Sequence, residues 1–140
     1  MTYYFAYGSN LHHHQMKKRC PKCRYIKKIV LKNFQLTFRH KGGWADIERR
    51  TNKKVYGGLY VISEYSERRL DKYEDYPTIY KKMYFKYKDK KVMTYTMVRK
   101  TKLIPPTNRY LNIIKQGYKD CKLSTKSLNV ALQPLKHLQR

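Results

Sequence analysis

The chain has 140 residues, 41% of them hydrophobic, long enough to bury a core and read as a single domain over residues 1–140. Its 33 Lys and Arg against 9 Asp and Glu give a formal net charge of +24, which implies a positive surface field and attraction to nucleic acid or another polyanion; abundant lysine and tyrosine together are also what an AT-rich genome would encode. No apolar run is long enough to span a membrane and no basic-then-apolar leader opens the chain, so a soluble, cytoplasmic protein is expected. Three cysteines, Cys20, Cys23 and Cys121, cannot all pair and are expected as reduced thiols.

In chain order, Tyr3, Tyr4 and Phe5 predict a strand that stops at Gly8-Ser9-Asn10, where glycine opens backbone angles closed to other residues and Ser and Asn favour turns or caps. A short helix from Leu11 to Cys20 should follow. A turn in that position presents free backbone amides, a small anion pocket suited to a carboxylate. Arg24 to Leu31 and Phe34 to Phe38 read as two strands, possibly a hairpin, separated by Lys32-Asn33. Lys41-Gly42-Gly43 is a loop, and Trp44 to Arg49 a short strand with Ala45 and Ile47 facing inward. Val55 to Ile62 is a strand whose Gly57-Gly58 suits the wall of a pocket, since mid-strand glycines mark close approach of another backbone or a ligand.

Ser63 is placed to cap a helix running to about Glu74, with Glu64 and Glu67 in its first turn where the helix dipole favours negative charge. Asp75-Tyr76-Pro77-Thr78 ends that helix. Strands are expected over Tyr80–Tyr87 and Lys91–Arg99, then Pro105-Pro106, a cap at Thr107 or Asn108, and a helix over Arg109–Gly117. A last helical pattern over Ser124–Leu138 carries Leu128, Ala131, Leu132 and Leu135, with Pro134 bending or shortening it.

The acidic residues are unevenly placed. None precedes Asp46, whereas Glu64, Glu67, Asp71, Glu74 and Asp75 lie within twelve positions. Glu74 stands four residues from Leu70 and so shares its helix face. A carboxylate on the apolar side of a helix end is partly desolvated, which raises its pKa and suits it to acid/base work at neutral pH. The pattern alone equally allows a local ion pair with Lys72, Lys81 or Lys82. Cys20-Pro-Lys-Cys23 near His12-His13-His14 invites a zinc reading, but the second half of a paired motif is absent and no metal site is assigned.

Tyr4-Phe-Ala-Tyr-Gly-Ser-Asn-Leu11 closely resembles the N-terminal signature of the γ-glutamylcyclotransferase-like family, which includes AIG2-like and γ-glutamylamine cyclotransferase-type small proteins. Later landmarks resemble that family in order: Ala45-Asp46-Ile47, Val55-Tyr-Gly-Gly-Leu-Tyr60, Leu70-Asp-Lys-Tyr-Glu74 followed by Tyr80, and Pro105-Pro-Thr-Asn-Arg-Tyr110. The likeness is clearest over residues 3–117. It implies an α+β fold with a mixed barrel-like sheet and flanking helices, and a cofactor-free enzyme that cyclises a γ-glutamyl group to 5-oxoproline with release of an amine or amino acid. It further implies Glu74 as general acid/base, substrate contacts from Tyr7, Gly8, Ser9, Asn10 and Leu11, and Tyr80 and Tyr110 lining the pocket, although either tyrosine also fits an ordinary core or rim position. In the family the Arg-x-Pro neighbourhood at Cys20 leads from helix to strand. Asp75 departs from the family's common glycine, and Tyr76-Pro77 alters the loop at the pocket rim. The second reading is a basic protein of the same fold that binds nucleic acid or another polyanion, with or without catalysis. Nothing in the pattern encodes an oligomeric state.

Overall fold

In the computed structural model, which describes residues 1–138, the sheet is assembled on β1 (Thr2–Ala6), whose Tyr4, Phe5 and Ala6 are buried. The last two residues of the 1–140 span lie outside those described. On one side β1 pairs antiparallel with β3 (Trp44–Ile62), and on the other it pairs parallel with β5 (Lys90–Met97). β2 (Arg24–Arg39) flanks β3 and β4 (Tyr80–Tyr87) flanks β5, giving the order β2-β3-β1-β5-β4. The two outer pairs are hairpins; the parallel pair needs the long crossover that β2, β3 and a helix supply. The expected α+β architecture is therefore present. The sheet ends in two edges, so it is barrel-like only loosely.

The segments expected as four short strands are halves of two long ones. Arg24–Leu31 and Phe34–Phe38 do not pair with each other but run on as β2, both facing β3. Lys32-Asn33 is a bulge rather than a turn: Asn33 adopts φ 64 and the register slips between Lys32 and Phe34. Opposite it, Asn52 at φ 67 donates its N–H to Asn33 Oδ1 at 3.1 Å. A bulge of this kind absorbs extra residues while the strand continues.

The helix expected over Leu11–Cys20 is a 3-10 turn, Ser9–Leu11, followed by α1 (His13–Arg19). α2 (Glu64–Tyr73) starts as expected at Ser63, whose hydroxyl accepts from the Ser66 N–H at 3.1 Å, and Glu74 terminates it. Thr107 caps α3 (Asn108–Asp120), accepting from the Tyr110 N–H at 3.2 Å. α4 (Lys126–Leu132) is cut short at Pro134 and ends in a 3-10 turn, Gln133–Leu135. Met16, Leu70, Ile114 and Leu128 are fully buried, so each helix contributes at least one anchor to the core. No helix among the described residues is long and apolar enough to cross a membrane.

Gly57 and Gly58 do not line the pocket; they allow close packing. A Cβ on Gly57 would collide with the Ala6 carbonyl and the Phe5 ring, and one on Gly58 would crowd the Tyr25 ring at 2.9 Å. Because the Ala6 carbonyl is backbone and cannot swing aside, Gly57→Ala is expected to cost about 1–3 kcal/mol through overpacking. A lowered melting temperature in thermal unfolding is the expected result, and an unchanged one would contradict this packing.

Candidate active site

At the end of β1 the chain turns through Gly8 into the Ser9–Leu11 turn. Leu11 N–H donates to Gly8 O at 3.0 Å and His12 N–H to Ser9 O at 3.1 Å. The opening amides of the turn have no intrahelical acceptor, and no side chain caps it. The turn lines a pocket of ≈ 250 Å³ whose walls include Tyr7, Gly8, Ser9, Asn10, Glu74, Tyr80 and Tyr110.

The walls are tied together through one peptide. Tyr80 donates its hydroxyl proton to the Ala45 carbonyl at 2.6 Å, and Ala45 N–H donates to the Tyr110 hydroxyl oxygen at 3.0 Å. Having accepted there, the Tyr110 O–H keeps its own proton to donate. A Cβ on Gly8 would stand 3.1 Å from Ala45 Cβ and 3.6 Å from the Tyr110 oxygen, so glycine leaves this part of the pocket open. Tyr7 is anchored by donation to Tyr95 O at 2.7 Å, and Asn10 Nδ2 donates to the Tyr4 hydroxyl at 2.9 Å. Burial pushes the hydroxyls of Tyr4, Tyr7, Tyr80 and Tyr110 upward from the usual phenol range, so all four remain protonated at neutral pH.

Of the residues expected at the site, Leu11 is the exception. It is fully buried, packs against Gly117 of α3, where a Cβ would strike it, and does not line the pocket. Its side chain supports the turn from beneath, because the turn's apolar face must meet the core.

Glu74 is the C-cap of α2, its N–H donating to Leu70 O at 2.8 Å. The residue is half-buried and lines the pocket wall. Burial pushes its carboxyl up to about 7; Arg19 pulls it down and Asp75 raises it further. The ion pair that the sequence also allowed is not made. Lys82 is engaged by Glu67 at 2.7 Å and Asp71 at 3.1 Å, and no ion pair among the described residues includes Glu74.

Sequence reasoning missed Arg19. From the last turn of α1 its guanidinium donates to Ser9 Oγ at 3.0 Å, to Asn10 Oδ1 and to the Tyr73 hydroxyl, and lies over the Tyr73 ring at 3.2 Å from the centroid. It thus fastens the Ser9–Leu11 turn to the end of α2, next to Glu74. The Arg-x-Pro segment was its one visible signal. Asp75, another pocket-wall residue and the one that stands where the resemblance has a glycine, adopts φ 51, the left-handed conformation that favours glycine. Cys20 Sγ faces Ser66 O at 3.6 Å while His13 Nε2 meets Cys121 Sγ at 3.3 Å, so the cysteine and histidine runs are directed to different partners.

One pocket thus brings together the Gly8–Asn10 turn and the Glu74 carboxyl, which no ion pair among the described residues includes. The chain belongs to the gamma-glutamyl cyclotransferase, AIG2-like family, whose pattern matches residues 4–118. A solved structure described as a gamma-glutamyl cyclotransferase is similar at TM-score 0.83 and 22% identity, covering 99% of this chain and 92% of that one. The human uncharacterized protein loc79017 is similar at TM-score 0.79 and 21% identity, covering 99% and 92%. YkqA from Bacillus subtilis is similar at TM-score 0.79 and 22% identity, covering 99% of this chain and 55% of YkqA. At these identities the likeness establishes the fold. No curated protein matches the sequence. Family and fold together point to a γ-glutamyl cyclotransferase-like enzyme.

The raised pKa of Glu74 has a consequence for stability. A folded-state value above the unfolded one favours the protonated carboxyl, so its contribution is whole below the ordinary carboxyl value of 4.5 and is lost as pH rises through about 7. Above that window the folded chain carries the cost of an enclosed carboxylate, up to about 3 kcal/mol. Glu74→Gln is therefore expected to raise the melting temperature relative to wild type more at pH 8 than at pH 5. A difference that does not vary with pH would contradict the enclosure.

Proposed function

We propose that the protein cyclises γ-glutamyl compounds to 5-oxoproline, releasing an amine or amino acid, with Glu74 as general acid/base. The observation that carries this reading is the Glu74 carboxyl, unpaired and poised at about 7, lining one pocket with the free amides of the Gly8–Asn10 turn. A γ-glutamyl group supplies its own nucleophile, the α-amine, which reaches the γ-carbonyl to close a five-membered ring. The enzyme has mainly to hold the folded conformer, and intramolecular placement supplies a large part of the barrier reduction.

The amides and side chains of Tyr7 to Asn10 hold the glutamyl α-carboxylate. Ionised Glu74 takes a proton from the α-ammonium, and the freed amine forms the new C–N bond at the γ-carbon while the carbonyl electrons move to oxygen. The Tyr110 O–H, left free by its bond from Ala45, and the turn amides are the donors available to that oxyanion. As the oxyanion collapses, the original amide C–N bond breaks and protonated Glu74 returns its proton to the departing amine; the re-ionised carboxylate then takes the second proton from the ring nitrogen, leaves the neutral lactam N–H and releases that proton to solvent. Tyr80 acts through Ala45, holding the wall on which Tyr110 sits.

Incubation with a panel of γ-glutamyl amino acids and amines, read by mass spectrometry for 5-oxoproline, is expected to give product from wild type. Glu74→Gln should lower the rate by about 10²–10⁴, the usual worth of a positioned acid/base. Absence of 5-oxoproline across the panel would overturn the reading, and the panel members consumed identify the leaving group.

The base must be ionised to begin, so kcat/KM should rise with pH along a limb centred at about 7. Arg19 lowers the Glu74 pKa, and Arg19→Gln is expected to move that limb to higher pH as well as to weaken substrate binding through the loosened turn. A loss of activity with the limb unmoved would assign Arg19 a purely structural role.

A further inference from the structure

The pocket accounts for little of the +24 charge. The five ion pairs among the described residues use only Arg39, Lys82, Lys90 and Lys100 as cations. A second concavity, ≈ 370 Å³, lies between the end of α3 and α4, with Lys115, Lys119 and Lys122 on its rim and Leu123 and Leu128 in its lining; no acidic residue lines it, and it shares no residue with the Glu74 pocket. Lys115 and Lys119 are one helical turn apart, with Cβ atoms about 6 Å from each other. Lys122 stands just past the helix at φ 57, a position where glycine or asparagine is the favoured residue.

A fourth lysine adjoins this groove: Lys28 Nζ donates to the Lys122 carbonyl at 3.2 Å. The nearby acid, Asp120, is turned away: its carboxylate accepts from the His13 N–H and from Gln116 Nε2. None of Lys28, Lys115, Lys119 and Lys122 is in an ion pair among the described residues.

We propose that this lysine face binds the phosphate backbone of a nucleic acid strand. Such a strand repeats a negative charge about every 3.4 Å of axis, which supplies several phosphates to the four cations grouped at this groove. The groove is concave, a shape that receives a strand better than it meets a bilayer. The face is separate from the Glu74 pocket, so occupancy and catalysis are independent.

The test is fluorescence anisotropy of the full chain with a labelled single-stranded oligonucleotide over a salt series. The triple variant Lys115→Gln, Lys119→Gln, Lys122→Gln is compared with a control triple on the β4–β5 hairpin, Lys81→Gln, Lys86→Gln, Lys91→Gln, which removes the same charge. Wild type is expected to bind at 0.15 M salt. The groove triple should lose at least tenfold in affinity and about two units of the slope of log Kd against log salt, at about 0.7 per lost phosphate contact. The control triple should stay within about threefold. Equal losses in both triples would reduce the effect to net charge and overturn the proposal. So would failure of wild type to bind, or binding to phosphatidylserine-containing vesicles that is tighter than to the oligonucleotide and depends on the same three lysines, which would assign the face to a lipid surface. All three proteins should form 5-oxoproline equally if they form it at all, which keeps this result apart from the fate of the catalytic reading.

Discussion

The site depends on keeping one carboxylate out of every ion pair in a chain of 33 cations. Enclosure by protein keeps the Glu74 pKa high, and any lysine brought close would pull it down and occupy the oxygens that the chemistry needs. The acidic island of the sequence answers that demand. Lys82, on the strand beside α2, is held by Glu67 and Asp71, and Asp71 also accepts from the Tyr95 hydroxyl at 2.6 Å. Glu67 sits in addition in the first turn of α2, where the helix dipole stabilises it. Two members of the acidic island are thus engaged by Lys82, and Glu74 is left outside that ion pair.

A carboxyl tuned in this way is useful only if the opposite wall stays at a fixed distance, and β3 provides that rigidity. At its start Ala45, Asp46 and Ile47 are all buried, so both faces of the strand are covered. The Ala45 peptide is gripped from β4 by Tyr80 and from α3 by Tyr110. One residue on, the Asp46 carboxylate accepts from the Met97 N–H at 2.8 Å and from Lys100 Nζ at 2.7 Å, tying β3 to the end of β5. Removing a single partner from such a buried pair leaves an uncompensated charge, so this corner resists displacement. The β-strands thus fix the wall, while α1 and α2 bring the charged groups to it.

The parts legible in the sequence were those set by local chemistry. Glycine and the small polar residues after a strand of aromatics marked the anion turn, Ser63 and Thr107 marked helix starts, and the spacing of Leu70 and Glu74 placed the carboxyl on the core side. What stayed hidden depends on tertiary reach. Arg19 acts across 10 residues to Ser9 and 54 to Tyr73, and a basic residue in a run of Lys-Lys-Arg looks like any solvated helix end. The continuity of β2 and β3 was hidden because a bulge at Asn33 and a turn at the same residue share one composition; only the partner strand decides between them. Leu11 was legible as part of a motif but not as core, since motif membership does not say which side of the turn a side chain takes.

Asp75 and Arg19 act on Glu74 in opposite directions, and the backbone explains why the pair can coexist. Asp75 occupies a left-handed residue immediately after the helix cap, at a cost of about 1 kcal/mol relative to glycine. Its N–H returns to Lys72 O at 3.2 Å while its carbonyl accepts from the Thr78 and Ile79 N–H groups, each at 2.8 Å. That conformation carries the chain away from the helix axis and leaves the Asp75 side chain at the pocket mouth. Arg19 approaches Glu74 from the α1 side with three of its five N–H donors directed to Ser9, Asn10 and Tyr73 and none bonded to the Glu74 carboxyl. The arginine's field therefore reaches the carboxyl without a hydrogen bond that would lock it as a carboxylate, and the aspartate's field offsets part of it. Enclosure sets the direction of the shift, and the two opposed charges trim it to the neighbourhood of neutrality, where a single group can both accept and return a proton.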